Sequence, residues 1–184
     1  MYWSRLTEPR SLKTLTLRLQ YGVASGVKVP GTLAVLLDLM ALPRLSPGFL
    51  PLLREEIDSV LSSPESWTDP QSFSPEKIPL TTAFMRESMR YSPLASSLPL
   101  REVVAKDGVV LPDGTHVPRG TWLVCPTEYM MRDERFFKNP DVFDPFRFLE
   151  EVDEKNRRYT LKEGNDLTAI SESFLFYGFG KHSW

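Results

Sequence analysis

The sequence predicts a mainly α-helical fold that carries a small β meander. Two segments, which begin at Pro51 and Pro79, place apolar residues at helical spacing, and proline is favoured at the first position of a helix. After Leu98 the pattern changes to short apolar runs between glycine-containing turns, which is typical of short strands. The length of 184 residues suits one domain or a fragment of a larger protein.

The composition excludes several classes of protein. The formal charge of −2 argues against a nucleic-acid binder, which normally carries a basic field. A hydrophobic share of 41% supports a core, and a single cysteine cannot form an internal disulfide. Prolines cut the apolar runs far below the roughly 20 residues that a bilayer span needs. We therefore expect a soluble chain without a membrane anchor.

The first half of the chain is predicted to be helical. Residues 33–42 have the pattern of a helix end that Pro43 stops, and a second helix begins at Pro51. The solvent face of this second helix is predicted to carry Arg54, Glu55, Glu56 and Asp58. Residues 62–75 are predicted to be a loop. Before residue 32 the periodicity is interrupted by Gly22, Gly26, Pro30 and Gly31.

The third helix is predicted to begin at Pro79 and to end before Pro93. Its apolar stripe consists of Leu80, Ala83, Phe84 and Tyr91. Glu87 and Arg90 fall on the same stripe, so two charged side chains interrupt a face that is expected to be buried.

The second half is predicted to contain short elements. The most strand-like run is 121–125, and 127–133 is predicted to be a short helix. Residues 138–148 are predicted to form a meander whose backbone is restricted by prolines, and 150–163 are predicted to be a charged, solvated loop.

The sequence lacks the common catalytic motifs. His116 and His182 are the only histidines, and neither has a cysteine or histidine at ligand spacing, so a protein zinc site is not expected. The sequence contains no nucleophile elbow, phosphate-binding loop or dinucleotide fingerprint. Cys125 lies in an apolar run, which favours a buried thiol over a nucleophile.

Glu87 and Arg90 allow two interpretations. They are neighbours on a helix, and an exposed pair of this kind contributes only about 0.2–0.5 kcal/mol. Their position on the apolar stripe instead favours a buried pair, which then needs a further partner. Arg147 is the candidate, because it lies between Phe146 and Phe148 in the meander and its guanidinium suits bidentate contact with a carboxylate.

Three segments, in this order, resemble the C-terminal half of the cytochrome P450 family. They are Glu-Ser-Met-Arg at 87–90, Asp-Val-Phe-Asp-Pro-Phe-Arg-Phe at 141–148 and Tyr-Gly-Phe-Gly-Lys-His-Ser at 177–183. The family consists of haem-thiolate monooxygenases, and the chain looks most similar to fungal microsomal members. The resemblance implies a partial cytochrome P450 domain over 33–184, ending in the haem-binding loop, and leaves 1–32 as a segment of uncertain origin.

The resemblance also implies roles for individual residues. Glu87, Arg90 and Arg147 would form the buried structural cluster of the family, whereas Arg101 and His182 would contact the haem propionates. For the intact parent protein it implies haem as cofactor, a small lipophilic substrate, NADPH-cytochrome reductase as electron donor and the endoplasmic reticulum membrane as location. Fungal members of this type often act in secondary metabolism.

Two departures from the family pattern limit what can be carried over. Trp184 stands at the position of the axial cysteine, and an indole cannot supply the thiolate. Where the family has an acid–alcohol pair for proton delivery, residues 24–30 offer only Ser25. We therefore expect no retained catalytic residue, no metal ligand and no monooxygenase activity from the chain as written. A non-catalytic remnant that binds a ligand or partner is the alternative, and a structural domain with an accidental match is a third hypothesis.

We predict that Trp184 arises from reading through an intron at the codon of the axial cysteine. A cysteine codon begins with TG, and an intron that starts after those two bases usually opens with GTAAG. Read without splicing, this sequence gives tryptophan followed by a stop. We therefore expect the spliced transcript to continue with cysteine at position 184, whereas a decayed gene would have no such exon.

Overall fold

The structure is a computed structural model that describes residues 28–93, 100–153 and 158–180. The helices in these ranges are α1 (Lys28–Leu45), α2 (Phe49–Val60), α3 (Pro79–Tyr91) and α4 (Thr127–Met131). The strands are β1 (Leu100–Glu102), β2 (Val109–Val110), β3 (His116–Val117), β4 (Trp122–Val124), β5 (Leu149–Asp153) and β6 (Arg158–Leu161). The predicted mainly helical fold with small β elements is confirmed.

Helix α1 is longer at both ends than the sequence predicts. Pro43 was expected to stop the helix but lies inside it, and the helix continues to Leu45. Proline removes one backbone donor, yet the amide of Ser46 still donates to the carbonyl of Leu42 at 2.8 Å and closes the last turn. Pro30 lies in the first turn, where the amide nitrogen needs no helical acceptor.

Helix α3 forms the centre of the structure and packs against α1, α2, α4 and the β5–β6 hairpin. It starts at Pro79 and ends at Tyr91, as predicted. The core around it is apolar and aromatic, and its fully buried members include Leu42, Phe49, Ala83 and Phe174. One face of α3 thus meets several parts of the chain that are far apart in sequence.

The strands form three antiparallel pairs, β1 with β4, β2 with β3, and β5 with β6. The last pair corrects a prediction, because 150–163 was expected to be a solvated loop. In β5 the register places Leu149 opposite Leu161 and Glu151 opposite Tyr159. Leu161 and Tyr159 pack against the core, whereas Glu150 and Glu151 of β5 are exposed.

The turn between β1 and β2 depends on Gly108. Its φ is +74°, and a Cβ atom at this position would lie 2.4 Å from the carbonyl oxygen of Val117. The predicted Asp-Gly turn therefore has a steric reason for its glycine.

None of the helices in the described part of the chain has the length and apolar character that a bilayer span requires.

Candidate functional site

The Glu87 carboxylate lies at the centre of a buried charged cluster. The Nε and Nη2 atoms of Arg90 donate to its two oxygens at 2.7 and 2.8 Å. The Nε atom of Arg147 donates to the same oxygens at 3.1 and 3.2 Å. The Glu87 and Arg90 side chains have no exposure, and that of Arg147 is 10% exposed. The structure thus brings together the three side chains that the sequence singled out.

The remaining donors of both arginines bind backbone carbonyls. Arg90 donates from Nη1 to Met131 at 2.9 Å, at the end of α4. Arg147 donates from Nη1 to Lys138 and from Nη2 to Val142, each at 2.9 Å. Because these carbonyls belong to the irregular segment 131–147, the cluster supplies hydrogen-bond partners that this segment cannot supply itself.

Asp144 helps to position Arg147 in the cluster. Its side chain accepts a hydrogen bond from the amide of Phe146 at 3.1 Å and so caps the 3₁₀ turn Pro145–Phe148. Its own amide donates to Glu87 Oε1 at 2.8 Å. The cap and the carboxylate together fix the turn that carries Arg147.

A second buried polar contact joins α1 to the end of α3, and sequence reasoning missed it. The hydroxyl of Ser88 donates to Asp38, and that of Ser92 donates to the other oxygen of Asp38 at 3.1 Å. Asp38 is 8% exposed and Ser88 is fully buried. The available signal was an acidic residue inside the apolar run of α1.

Glu56 corrects the prediction that it faces solvent. It is buried and accepts hydrogen bonds from the backbone amides of Leu80 and Thr81 at 2.7 and 2.8 Å, and from the Thr81 hydroxyl at 2.7 Å. These amides belong to the first turn of α3, so a carboxylate from α2 caps this helix. Burial raises the pKa of Glu56, and the hydrogen bonds from Thr81 and Leu80 oppose that rise.

Arg101 lies on β1, opposite Leu123 of β4, with its side chain exposed. Its Nη1 atom donates to the carbonyl of Leu100 at 3.0 Å. His182 and Trp184 lie outside the described residues. The expected convergence of Arg101 and His182 on one cofactor therefore stays a prediction.

The donor atoms within the chain do not fit a haem-thiolate site. Cys125 is the one cysteine of the sequence, and its half-buried sulfur lies 3.6 Å from the sulfur of Met130, just after β4. The 177–184 run, where the resemblance places the axial ligand, contains no cysteine. Within the described ranges, no group of three histidine, cysteine or acidic side chains is arranged to hold a metal ion.

Comparison with known proteins gives a consistent match. The family model described as Cytochrome P450 matches residues 36–182. Cytochrome P450 monooxygenase efuH of Hormonema carpetanum is 31% identical over 180 residues, which cover 97% of this chain and 31% of that protein. Cytochrome P450 monooxygenase polB of Polytolypa hystricis is 36% identical over 136 residues, covering 72% of this chain and 25% of that protein.

A solved structure supports the fold. A zebra fish cytochrome P450 with progesterone superposes with a TM-score of 0.59 at 22% identity, over 89% of this chain and 32% of that one. The chain thus spans a quarter to a third of the length of the proteins it matches. The alignment with the Hormonema protein covers enough of this chain to extend into residues 1–32.

Proposed function

The chain belongs to the cytochrome P450 family, and from this we propose that it carries the C-terminal part of a haem-dependent monooxygenase of fungal secondary metabolism. The observation that supports this most directly is the Glu87 carboxylate, which binds both Arg90 and Arg147 inside the matched region. Both fungal relatives described above are named monooxygenases. In this proposal the cluster is structural, because it touches backbone carbonyls and holds the meander in place.

We propose further that these 184 residues do not carry out monooxygenation on their own. A thiolate ligand gives haem the electron density that cleaves the O–O bond, and no cysteine stands in the 177–184 run. Arg101 and His182 remain proposed contacts of the haem propionates. For Arg101, the exposed guanidinium on β1 supports this role.

For the whole protein, family membership implies a redox partner and a lipophilic substrate. We propose NADPH-cytochrome reductase as the electron donor, a small lipophilic metabolite as the substrate and the endoplasmic reticulum membrane as the location. We also propose that residues 33–184 form the partial cytochrome P450 domain, with 1–32 as a segment of uncertain origin. The family match from residue 36 supports the domain, whereas α1 and the alignment with the Hormonema protein both continue across residue 32.

The proposal is tested by spectroscopy of the purified chain with added haem. After reduction under carbon monoxide, we expect no long-wavelength Soret band of the kind that a thiolate ligand produces, and no oxidised product when reductase and NADPH are supplied. The matched control is Cys125→Ser, which removes the one thiol. A thiolate band that is present in the unchanged chain and absent from this variant would overturn the proposal, because Cys125 would then be the ligand.

The alternative function is a non-catalytic module that binds a lipophilic ligand or a partner. It is favoured by the exposed apolar face of α1, where Leu33, Leu36, Leu37 and Met40 are each more than half exposed. Retention of the reductase on the immobilised chain, lost when Leu37 and Met40 are replaced by glutamine, would support this alternative. Without retention, the face is best explained as one that other parts of a cytochrome P450 cover.

A further inference from the structure

Arg86 is adjacent to Glu87 on α3 but contacts a different part of the chain. Its residue exposure is 2%, which makes it one of the two largest fully buried side chains in the described structure. The Nη1 atom donates to the carbonyl of Asp166 at 2.5 Å and to that of Ala169 at 3.1 Å. The guanidinium carbon lies 3.8 Å from the centre of the Phe174 ring and 5.4 Å from that of Phe148.

The surroundings of Arg86 do not favour its charge. Among the described residues no carboxylate lies within ion-pair distance of it, and its buried Nε atom has no acceptor. Burial lowers the pKa of Arg86 to about 10, and the charges of Asp166 and Tyr177 oppose this shift. The guanidinium therefore stays charged at neutral pH although an apolar side chain of similar volume would fill the space without this cost.

The segment that Arg86 contacts has little regular structure. Between Leu161 and Gly180 the described chain forms turns and bends, without a helix or strand. Several of its hydrogen bonds are local, such as the amide of Ala169 to the carbonyl of Asp166 and the amide of Phe174 to the hydroxyl of Ser171. Such bonds shape the turns but do not attach them to the rest of the molecule.

Arg86 supplies an attachment that an apolar residue cannot. Its Nη1 atom donates to two carbonyls three residues apart, while the guanidinium face stacks on Phe174, five residues after Ala169. One side chain thereby contacts 166–174 at three points, in addition to the packing of Phe174 in the core.

We propose that Arg86 is the positioning residue that seats segment 166–174, and with it the start of the aromatic–glycine run 174–180, on α3. This goes beyond the proposed function, because Arg86 is separate from the Glu87 cluster and acts on a different segment. Helix α3 then holds two irregular segments by two independent polar contacts. Glu87 and Arg90 hold 131–147, and Arg86 holds 166–174.

The test uses Arg86→Leu in the full chain and follows the phenol of Tyr177. Burial raises the pKa of Tyr177, and the positive charge of Arg86 lowers it in part. If the segment leaves α3 in the variant, Tyr177 becomes solvated and its pKa falls towards the ordinary value of 10.0. If the segment stays seated, only the positive charge is lost and the pKa of Tyr177 rises further. The proposal predicts the fall, and a rise would overturn it.

The pKa is measured by NMR with tyrosine labelled at the ring carbon that bears the hydroxyl, and Tyr177→Phe identifies the signal. Hydrogen exchange gives the second readout. Amides of 166–174 are expected to exchange about tenfold faster or more in Arg86→Leu, because hydrogen bonds to a charged donor are lost, while those of 82–90 keep their protection. Equal acceleration in both regions would overturn the proposal, since it would indicate a general loss of stability.

Two further variants complete the test. Arg54→Leu makes the same chemical change at an exposed position of α2 and is expected to alter neither readout. Arg86→Gln is nearer in shape and guards against a failure of the leucine variant to fold. It keeps an amide donor, so we expect a smaller effect with the same sign. Unchanged exchange of 166–174 in Arg86→Gln and Arg86→Leu alike would reject the role of Arg86.

Discussion

Glu87 accepts hydrogen bonds from two guanidiniums and from the backbone amide of Asp144, although its side chain is fully buried. One carboxylate thus faces two positive charges, and the backbone carbonyls of 131–142 complete the coordination of both arginines. The arrangement tolerates the excess positive charge because each guanidinium finds oxygen acceptors on several sides.

Replacement of Glu87 by glutamine is expected to lower the free energy of unfolding by about 3–5 kcal/mol, because both guanidiniums then stay buried without a counter-charge. Chemical denaturation of the chain measures this change. Arg135→Gln is the matched control, since its partner Asp133 lies on the surface and the Arg135 side chain is 81% exposed. This control is expected to cost less than about 1 kcal/mol. Equal costs for the two variants would contradict the structural role of the cluster.

At the scale of elements, α3 is held at its start by a residue of another helix. Glu56 of α2 accepts hydrogen bonds from the first-turn amides Leu80 and Thr81, where Pro79 itself cannot donate. Since α2 is the element that carries the acceptor, the relative placement of the two helices and the start of α3 depend on one carboxylate.

The burial of Glu56 predicts a pH dependence of stability. Because the pKa of Glu56 is raised in the folded chain, the folded state binds this proton more tightly than the unfolded state does. The resulting stabilisation is complete below the ordinary value of 4.5 and is lost as pH rises through the raised value. As pH rises, the unchanged chain should therefore lose stability relative to Glu56→Gln. If it instead gains stability relative to Glu56→Gln over the same range, the raised pKa of Glu56 is contradicted.

Sequence reasoning predicted those elements whose boundaries are set by local chemistry. Pro79 and Pro93 bracket α3 correctly. The position of Glu87 on an apolar stripe indicated a buried partner, and the place of Arg147 in the meander, with the family resemblance, identified it. Sequence reasoning failed where tertiary contacts decide. Glu56 was assigned to solvent because its neighbours in sequence are charged. The β5–β6 hairpin was missed because charged residues surround Tyr159 and Leu161, the two residues of β6 that pack against the core. Pairing across a chain reversal leaves no mark in local periodicity.

At the scale of the whole molecule, apolar surface is distributed unevenly. Leu42 of α1 is completely buried in the core, whereas Leu37 and Met40 of the same helix are 56% and 79% exposed. The chain spans a quarter to a third of the length of the curated relatives described above, and the described residues leave this face of α1 exposed.

Replacement of Met40 or Leu37 by glutamine is expected to change the free energy of unfolding by less than about 0.5 kcal/mol and to reduce self-association, because neither side chain is buried in the fold. Leu42→Ala is the control and should cost about 2–5 kcal/mol. Denaturation and sedimentation velocity measure the two effects. If Met40→Gln destabilises the chain as much as Leu42→Ala, another part of the chain covers this face.

The sequence distances within the Glu87 cluster have a consequence for the order of folding. Arg90 is three residues from Glu87 and pairs with it as soon as α3 forms, whereas Arg147 is 60 residues away and must close a long loop first. Arg147→Ala should therefore mainly accelerate unfolding, whereas Ala83→Gly, inside α3, should mainly slow refolding. Stopped-flow measurement of both rates across denaturant concentrations separates the two effects. If the slower refolding of Arg147→Ala accounts for its whole loss of stability, the meander docks before the rate-limiting step. The buried Glu87 carboxylate then guides folding and also stabilises the folded state.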